Sequence, residues 1–304
     1  MSSKSKRKVF VIGASGTIGF ATVKVLSQKY ADQLEIYAGV RSPEKAEKLK
    51  SLANVKIVKA EMGADQVGLQ EVFTGIDFLY IVTPGSRNRV DLTKRTADAA
   101  KKAGVKSLMV ISVILTDLAF TEDTFLFAEM FHEIEKHVKE LGLPWTFLRL
   151  PGFYENMMGF ARAIKNNSSI SLPFDENATF AAMAAADMGL AGATIMAHPE
   201  KHRHQTYKLF GDRSSPNSIC KAFSKVLGRD IKHVKLPYED HKEMLRGFGI
   251  PDWQVEGLMH NYKLCDKGSP HITLEGCADD FGAITGQKAM STEDWIRQFS
   301  FVFK

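Results

Sequence analysis

The first half of the chain alternates short apolar runs with longer amphipathic stretches. Lys8 to Ile12 (KVFVI) is the first apolar run, and it ends at Gly13. Ile18 to Tyr30 follows with Ile18, Ala21, Val25 and Leu26 on one helical face. Further runs at Leu34–Val40, Val55–Ala60, Asp77–Val82, Ser107–Val113 and Trp145–Leu150 predict five more strands. Helices are predicted between them at Pro43–Leu52, Gln66–Phe73, Arg89–Ala103 and Thr124–Leu141. The last carries Leu126, Phe127, Met130, Phe131, Ile134, Val138 and Leu141 along its buried side. Strands that read as near-continuous apolar runs are covered on both faces. Six of them alternating with helices predict repeated βαβ units, an α/β fold with a doubly wound parallel sheet.

The pattern changes after Pro151. Short strands at Ile170–Pro173, Gln205–Phe210 and Lys232–Leu236 are set among helices at Ala184–Met196, Ser215–Leu227 and Asp240–Phe248. Ser291–Phe299 opens with a capping signature, Ser291 or Thr292 followed by acids. This mixture predicts a smaller α+β C-terminal lobe. The expected division is a basic tail over 1–7, a nucleotide-binding lobe over 8–154 and a small substrate lobe over 155–304. The small lobe is expected to interleave with the sheet, so that the whole chain is one unit.

Composition narrows the classes. Hydrophobic residues are 44 % of 304 and charged residues 25 %, enough apolar content to offset chain entropy, which excludes disorder as the main state. Three cysteines (Cys220, Cys265, Cys277) are too few for a disulfide scaffold and are not spaced as metal ligands. They fit a reducing compartment. The net charge of +5 is spread along the chain without an aromatic-interleaved basic stripe, so no nucleic-acid partner is expected. No run of about 18 apolar residues exists, so no membrane span is expected. MSSKSKRK at the start lacks the apolar core of a signal peptide. The expected location is cytoplasmic, with nuclear entry as the other reading of that basic cluster. His198, His202 and His204 lie in a polar stretch (HPEKHRHQ) with only Glu200 as a nearby acid, which reads as a solvated loop and not as a metal site.

The strongest chemical signal is Gly13-Ala14-Ser15-Gly16-Thr17-Ile18-Gly19, directly after the first strand and opening the first helix. Gly13 allows the tight turn. Gly16 lets the backbone approach a pyrophosphate. Gly19 lets helix and strand pack closely. The helix N-terminus then offers free N–H groups to phosphates, so Gly13, Ser15, Gly16, Thr17, Ile18 and Gly19 are expected to hold a dinucleotide on a Rossmann-type fold. An NAD-selective site places an acid at the end of the second strand. Here that end reads Gly39-Val40-Arg41-Ser42, with Lys45 four residues beyond Arg41. Arg41 and Lys45 can clamp a 2′-phosphate, which favours NADP (NADPH) over NAD.

Three segments together resemble the NmrA-like family of atypical short-chain dehydrogenase/reductase folds. They are the glycine loop, Val40-Arg41-Ser42-Pro43-Glu44-Lys45, and Trp145-Thr146-Phe147-Leu148-Arg149-Leu150-Pro151-Gly152-Phe153-Tyr154-Glu155-Asn156. Ala184–Ala193, Tyr207–Gly211 and Val226–Arg229 continue the likeness through the second half. The resemblance implies an NAD(P)-binding lobe with a small lobe over the nicotinamide end. It also implies that Thr83, Pro84, Pro151 and Phe153 lie along the cofactor. Members of the family include quinone and dye reductases as well as regulators that sense NADP(H) without turnover.

Conventional members of the wider superfamily use a Tyr-x-x-x-Lys pair. Aligned on Glu135, those positions hold Phe127 and Phe131, and neither can donate a proton. His132 and Glu135 remain as H-x-x-E, resembling the quinone- and azo-reductase branch. At i and i+3 they can hydrogen-bond, and His132 could then protonate a reduced acceptor. Tyr154 is a second donor candidate. Solvent can also supply the proton if the site works by positioning and desolvation. The sequence therefore points to hydride transfer from NADPH to a small planar aromatic or quinone-like acceptor. The alternative is a non-catalytic NADP(H) sensor that acts on a protein partner. A homodimer is compatible with either. No metal is expected.

Overall fold

The computed structural model describes residues 6–304. The basic tail expected over 1–7 lies largely outside them, and its last residue, Arg7, already begins the first strand. The first half runs β1 (Arg7–Ile12), α1 (Thr17–Lys29), β2 (Leu34–Val40), α2 (Glu47–Lys50), β3 (Val55–Lys59) and α3 (Gln66–Phe73). It continues with β4 (Phe78–Ile81), α4 (Arg89–Lys102), β5 (Ser107–Val113), α5 (Leu126–Glu140) and β6 (Trp145–Leu150). Alternation in β1 explains the layers. Val9 and Val11 face one helical layer with α1, while Phe10 and Ile12 face the other with α3, α4 and α5. Gly39 in β2 is required by this packing, because a Cβ there would sit 2.4 Å from the Phe10 ring.

The second half runs β7 (Gly152–Phe153), α6 (Ala161–Asn167), β8 (Ser169–Leu172), β9 (Phe180–Met183), α7 (Ala185–Ala197), β10 (Gln205–Lys208) and β11 (Arg213–Ser214). Then come α8 (Pro216–Leu227), β12 (Lys232–Lys235), α9 (Tyr238–Gly247), α10 (Asp252–Asp266), α11 (Pro270–Thr273), α12 (Asp280–Thr285) and α13 (Thr292–Gln298). The main sheet has seven parallel strands in the order β10-β6-β5-β4-β1-β2-β3. Its seventh strand, β10, comes from the second half and pairs with β6. α7 also belongs to this layer. It packs on α1 so closely that a Cβ on Gly189 would lie 2.6 Å from the Ala21 backbone. Two small sheets, β11-β9-β7 and β12-β8, form the other lobe around Trp295, Phe223, Phe303 and Phe174.

Three expectations are corrected. The charged helix expected over Pro43–Leu52 is broken into a 3-10 turn at Pro43–Lys45 and the single turn α2. Pro43 at the first position and an apolar face of only Ala46, Leu49 and the half-buried Leu52 leave little to bury for a longer helix. The helix expected from Thr124 starts at Leu126, because Thr124 is held in a turn by its N–H to Thr121. His202, expected in a solvated loop, is buried, with Nδ1 2.8 Å from the Tyr207 hydroxyl and its carbonyl accepting from Thr146 Oγ1. Desolvation holds its imidazole below the usual histidine range. No group of three or more metal-ligating side chains forms among the described residues. No helix among them is long and apolar enough to cross a membrane.

Candidate active site

A cavity of about 1040 Å³ lies along the carboxyl ends of β1, β2, β4, β5 and β6 and continues under the small lobe. In open α/β sheets ligands bind at this edge, where the strand order reverses, here between β1 and β4. The glycine loop forms one end. Gly13 has φ +83° and sits against the Val82 carbonyl, a position that only glycine fills without strain. Its N–H and that of Ala14 donate to the Gly39 carbonyl at 3.1 Å, which locks the loop to β2. Gly16 is the N-cap of α1, with no capping side chain and no acid in the first turn. A Cβ on Gly16 would meet only the Gly13 carbonyl, at 3.4 Å, so the cradle is otherwise open. Gly19 serves packing instead. Its Cβ would lie 2.3 Å from the Gly13 carbonyl.

Gly13, Ser15, Gly16, Thr17 and Ile18 line this cavity, together with Arg41, Thr83, Pro84, Pro151 and Phe153. Gly19 and Lys45 do not; Gly19 is turned into the loop, and Lys45 is on the exposed 3-10 turn after Arg41. The end of β2 carries no acid, and Arg41 is its exposed cation at the cavity wall. An open glycine cradle, an uncapped helix N-terminus and this arginine fit a dinucleotide with an extra phosphate on its ribose.

The residues expected to carry catalysis are not brought together. Phe127 and Phe131 do line the cavity. His132 and Glu135 lie instead in a separate recess beside Asp117, Lys139 and Arg149. The expected His132–Glu135 hydrogen bond is replaced by another set. Glu135 is buried and accepts from Arg149 Nε and Nη2, both at 2.9 Å, and from Ser112 Oγ at 2.6 Å. The His132 ring packs edge-on against Phe120. Asp117, paired with Arg149 and Lys208, has its carboxyl held below the usual range despite partial burial. Tyr154 reaches the cavity wall, but its hydroxyl accepts from the Asp212 N–H at 2.9 Å. Burial pushes it up to about 12.

Sequence reasoning missed part of the wall. Gln254, Leu258, Asn261 and Tyr262 of α10 face the cavity, and Asn261 Oδ1 is buried there without a partner. The signal was present: Val255, Met259 and Tyr262 recur at helical spacing after Pro251, which opens the helix at its N-cap. Arg89 at the start of α4 was also passed over. It is buried, lines the cavity and makes no ion pair among the described residues. Glu155, part of the most distinctive motif, proves to be a tie between elements. Its carboxylate accepts from the Ala185 N–H at the start of α7 and from Trp295 Nε1.

Residues 5–281 match the profile of the NmrA-like family. The chain belongs to the NmrA-like family. It is 26 % identical over 298 residues to the NAD(P)H azoreductase of Xenophilus azovorans, covering 97 % of this chain and 99 % of that one. It is 25 % identical over 250 residues to the nitrogen metabolite repression protein nmrA of Emericella nidulans, covering 77 % of this chain and 70 % of that one. Among solved structures, the NADPH-dependent quinone oxidoreductase of Escherichia coli, complexed with NADPH, superposes with a TM-score of 0.82 at 22 % identity. That match covers 96 % of this chain and 99 % of the other, and it identifies the same fold.

Proposed function

We propose that this NmrA-like protein binds NADPH in the large cavity and reduces a planar, electron-poor acceptor of the quinone or azo class. The observation that carries the reading is the continuity of the cavity. One space joins the glycine cradle and Arg41 to an apolar chamber walled by Phe127, Phe153, Phe160, Phe174 and Phe180. Bound NADPH would supply a hydride. Gly13–Ile18 would hold its phosphates and Arg41 its 2′-phosphate, with Thr83, Pro84, Pro151 and Phe153 along its length. The aromatic wall would orient a flat acceptor and exclude water, which favours transfer by positioning. Among the described residues the cavity is lined by no histidine and by one carboxylate, Glu61 just beyond β3, so the proton is best supplied by solvent once the acceptor is reduced. The azoreductase and the quinone oxidoreductase named above support this choice. A reducing, cytoplasmic setting suits it, and the small lobe over 155–304 would be the acceptor-binding lobe.

The same shortage of acids along the cavity favours one second reading, an NADP(H) sensor that changes its contacts with a protein partner. The likeness to the nitrogen metabolite repression protein supports it. The deciding experiment follows NADPH oxidation with a panel of quinones and azo dyes, alongside NADPH and NADH titrations. Turnover with preference for NADPH is expected. Tight NADPH binding with no acceptor reduced would replace the reductase with the sensor. Equal affinity for NADH would remove the 2′-phosphate site.

A further inference from the structure

The chamber holds a cation that no carboxylate balances. Arg89 opens α4 and is 9 % exposed. Its guanidinium lies 5.2 Å from the Phe131 ring centre, 5.4 Å from that of Trp253 and 5.6 Å from that of Phe127. Among the described residues its side-chain hydrogen bonding is confined to Nε, which donates to the Ser86 carbonyl at 3.2 Å. Burial pulls its pKa down, and no neighbouring acid opposes that. Arginine this buried is ordinarily paired, since an unpaired buried charge costs several kcal/mol. Three aromatic faces return only part of that. The Nη donors of the fork are thus held in place without an acceptor among the described residues.

Its surroundings say where the fork serves. The glycine cradle and Arg41 stand at the ends of β1 and β2. Arg89 is pinned between α5 and α10, on the wall of the chamber. α10 is pressed onto this point, because a Cβ on Gly257 would lie 2.5 Å from Phe127. Ser86, whose carbonyl accepts from the guanidinium, also lines the cavity, and its Oγ is buried without a partner. A planar fork matches sulfonate, carboxylate or phosphate oxygens two at a time. We propose that Arg89, helped by Ser86, makes the chamber selective for acceptors that carry an anionic substituent on a flat ring system. This rests on the reductase reading for the word acceptor, but the anion site can be tested apart from turnover.

Isothermal titration of the NADP-loaded protein with naphthalene sulfonate and with its neutral sulfonamide separates charge from shape. Wild type is expected to prefer the sulfonate, and Arg89→Met to lose at least about tenfold of sulfonate affinity, the scale of one charged hydrogen bond. Arg89→Lys, which keeps the cation without the fork, is expected between the two and carries the test should R89M not fold. Ser86→Ala should weaken the sulfonate and leave the sulfonamide unmoved. Equal affinities for the two probes in wild type would overturn the site. So would an R89M protein that keeps the sulfonate preference while binding NADPH more weakly, because the guanidinium would then serve the cofactor. In turnover, the kcat/KM ratio of naphthoquinone sulfonate to naphthoquinone should fall about tenfold in R89M. Sulfonate binding without any quinone turnover would support the anion site and remove the reductase. Turnover without charge preference would do the reverse.

Discussion

At the scale of single residues, chemistry and architecture divide differently from what the motifs suggest. Arg149 and Glu135, which lie in two of the most family-like segments, are partners in one buried ion pair that ties α5 to β6. Ser112 links that pair to the cavity wall through its hydroxyl. Glu135→Ala should therefore cost about 3–5 kcal/mol in a denaturant melt, because it leaves a buried guanidinium with only Asp117. His132→Ala, in the recess outside the chamber, should leave kcat with quinones close to wild type; a large fall with an altered pH profile would restore it as the proton donor. Arg41→Ala should weaken NADPH roughly tenfold to a hundredfold and leave NADH unchanged, read by direct titration. The glycines and Arg41 were legible in the sequence because each answers a local demand: a turn, a close approach, a charge at a strand end. Arg89 and Asn261 were not. Their meaning depends on which helices meet around them, and no spacing in the chain encodes that.

At the scale of elements, the strands were the most readable. A buried parallel strand is an apolar run with little else to be, and β2, β5 and β6 fall where the pattern put them. α10 carries a helical apolar spacing, Val255, Met259 and Tyr262, but that spacing does not say what the helix packs on; its burial comes from contact with α9 and the chamber. The α9–α10 pair carries its own titration. His241 is buried against Tyr262, both ring nitrogens lack partners, and desolvation pushes it down to about 4. With a folded value below the unfolded one, the unfolded chain binds the extra proton between about 4 and 6.5. Stability is then full above that window and falls as pH drops through it. The melting temperature should decline from pH 7 to pH 5, and His241→Leu should flatten the slope. The α1–α7 contact is the other element to test. Gly189→Leu would overpack it by about 1–3 kcal/mol and loosen the helix whose N-terminus forms the glycine cradle. The expected readout is a lower melting temperature together with weaker NADPH binding.

At the scale of the whole molecule, the two halves are not separable parts. β10 completes the sheet beside β6, and α7 covers α1, so residues beyond 184 build the nucleotide-binding layer. A fragment ending at 154 should be aggregation-prone and should not bind NADPH, as sedimentation and titration would establish. The sequence pattern changes texture after Pro151 but could not say that a short strand near 205 returns to the large sheet. A four-residue strand carries too little signal to reveal its neighbour.

That returning strand bears on how the protein is made. During synthesis the first six strands leave the ribosome well before Gln205–Lys208 does. Until then the nascent sheet has an open edge at β6, and the apolar face of α1 has no α7 to cover it. The interval is fixed by the chain itself, about fifty residues between Leu150 and Gln205. Any change that slows translation across that stretch prolongs the time in which a nearly complete fold is still exposed to chaperones and to other nascent chains.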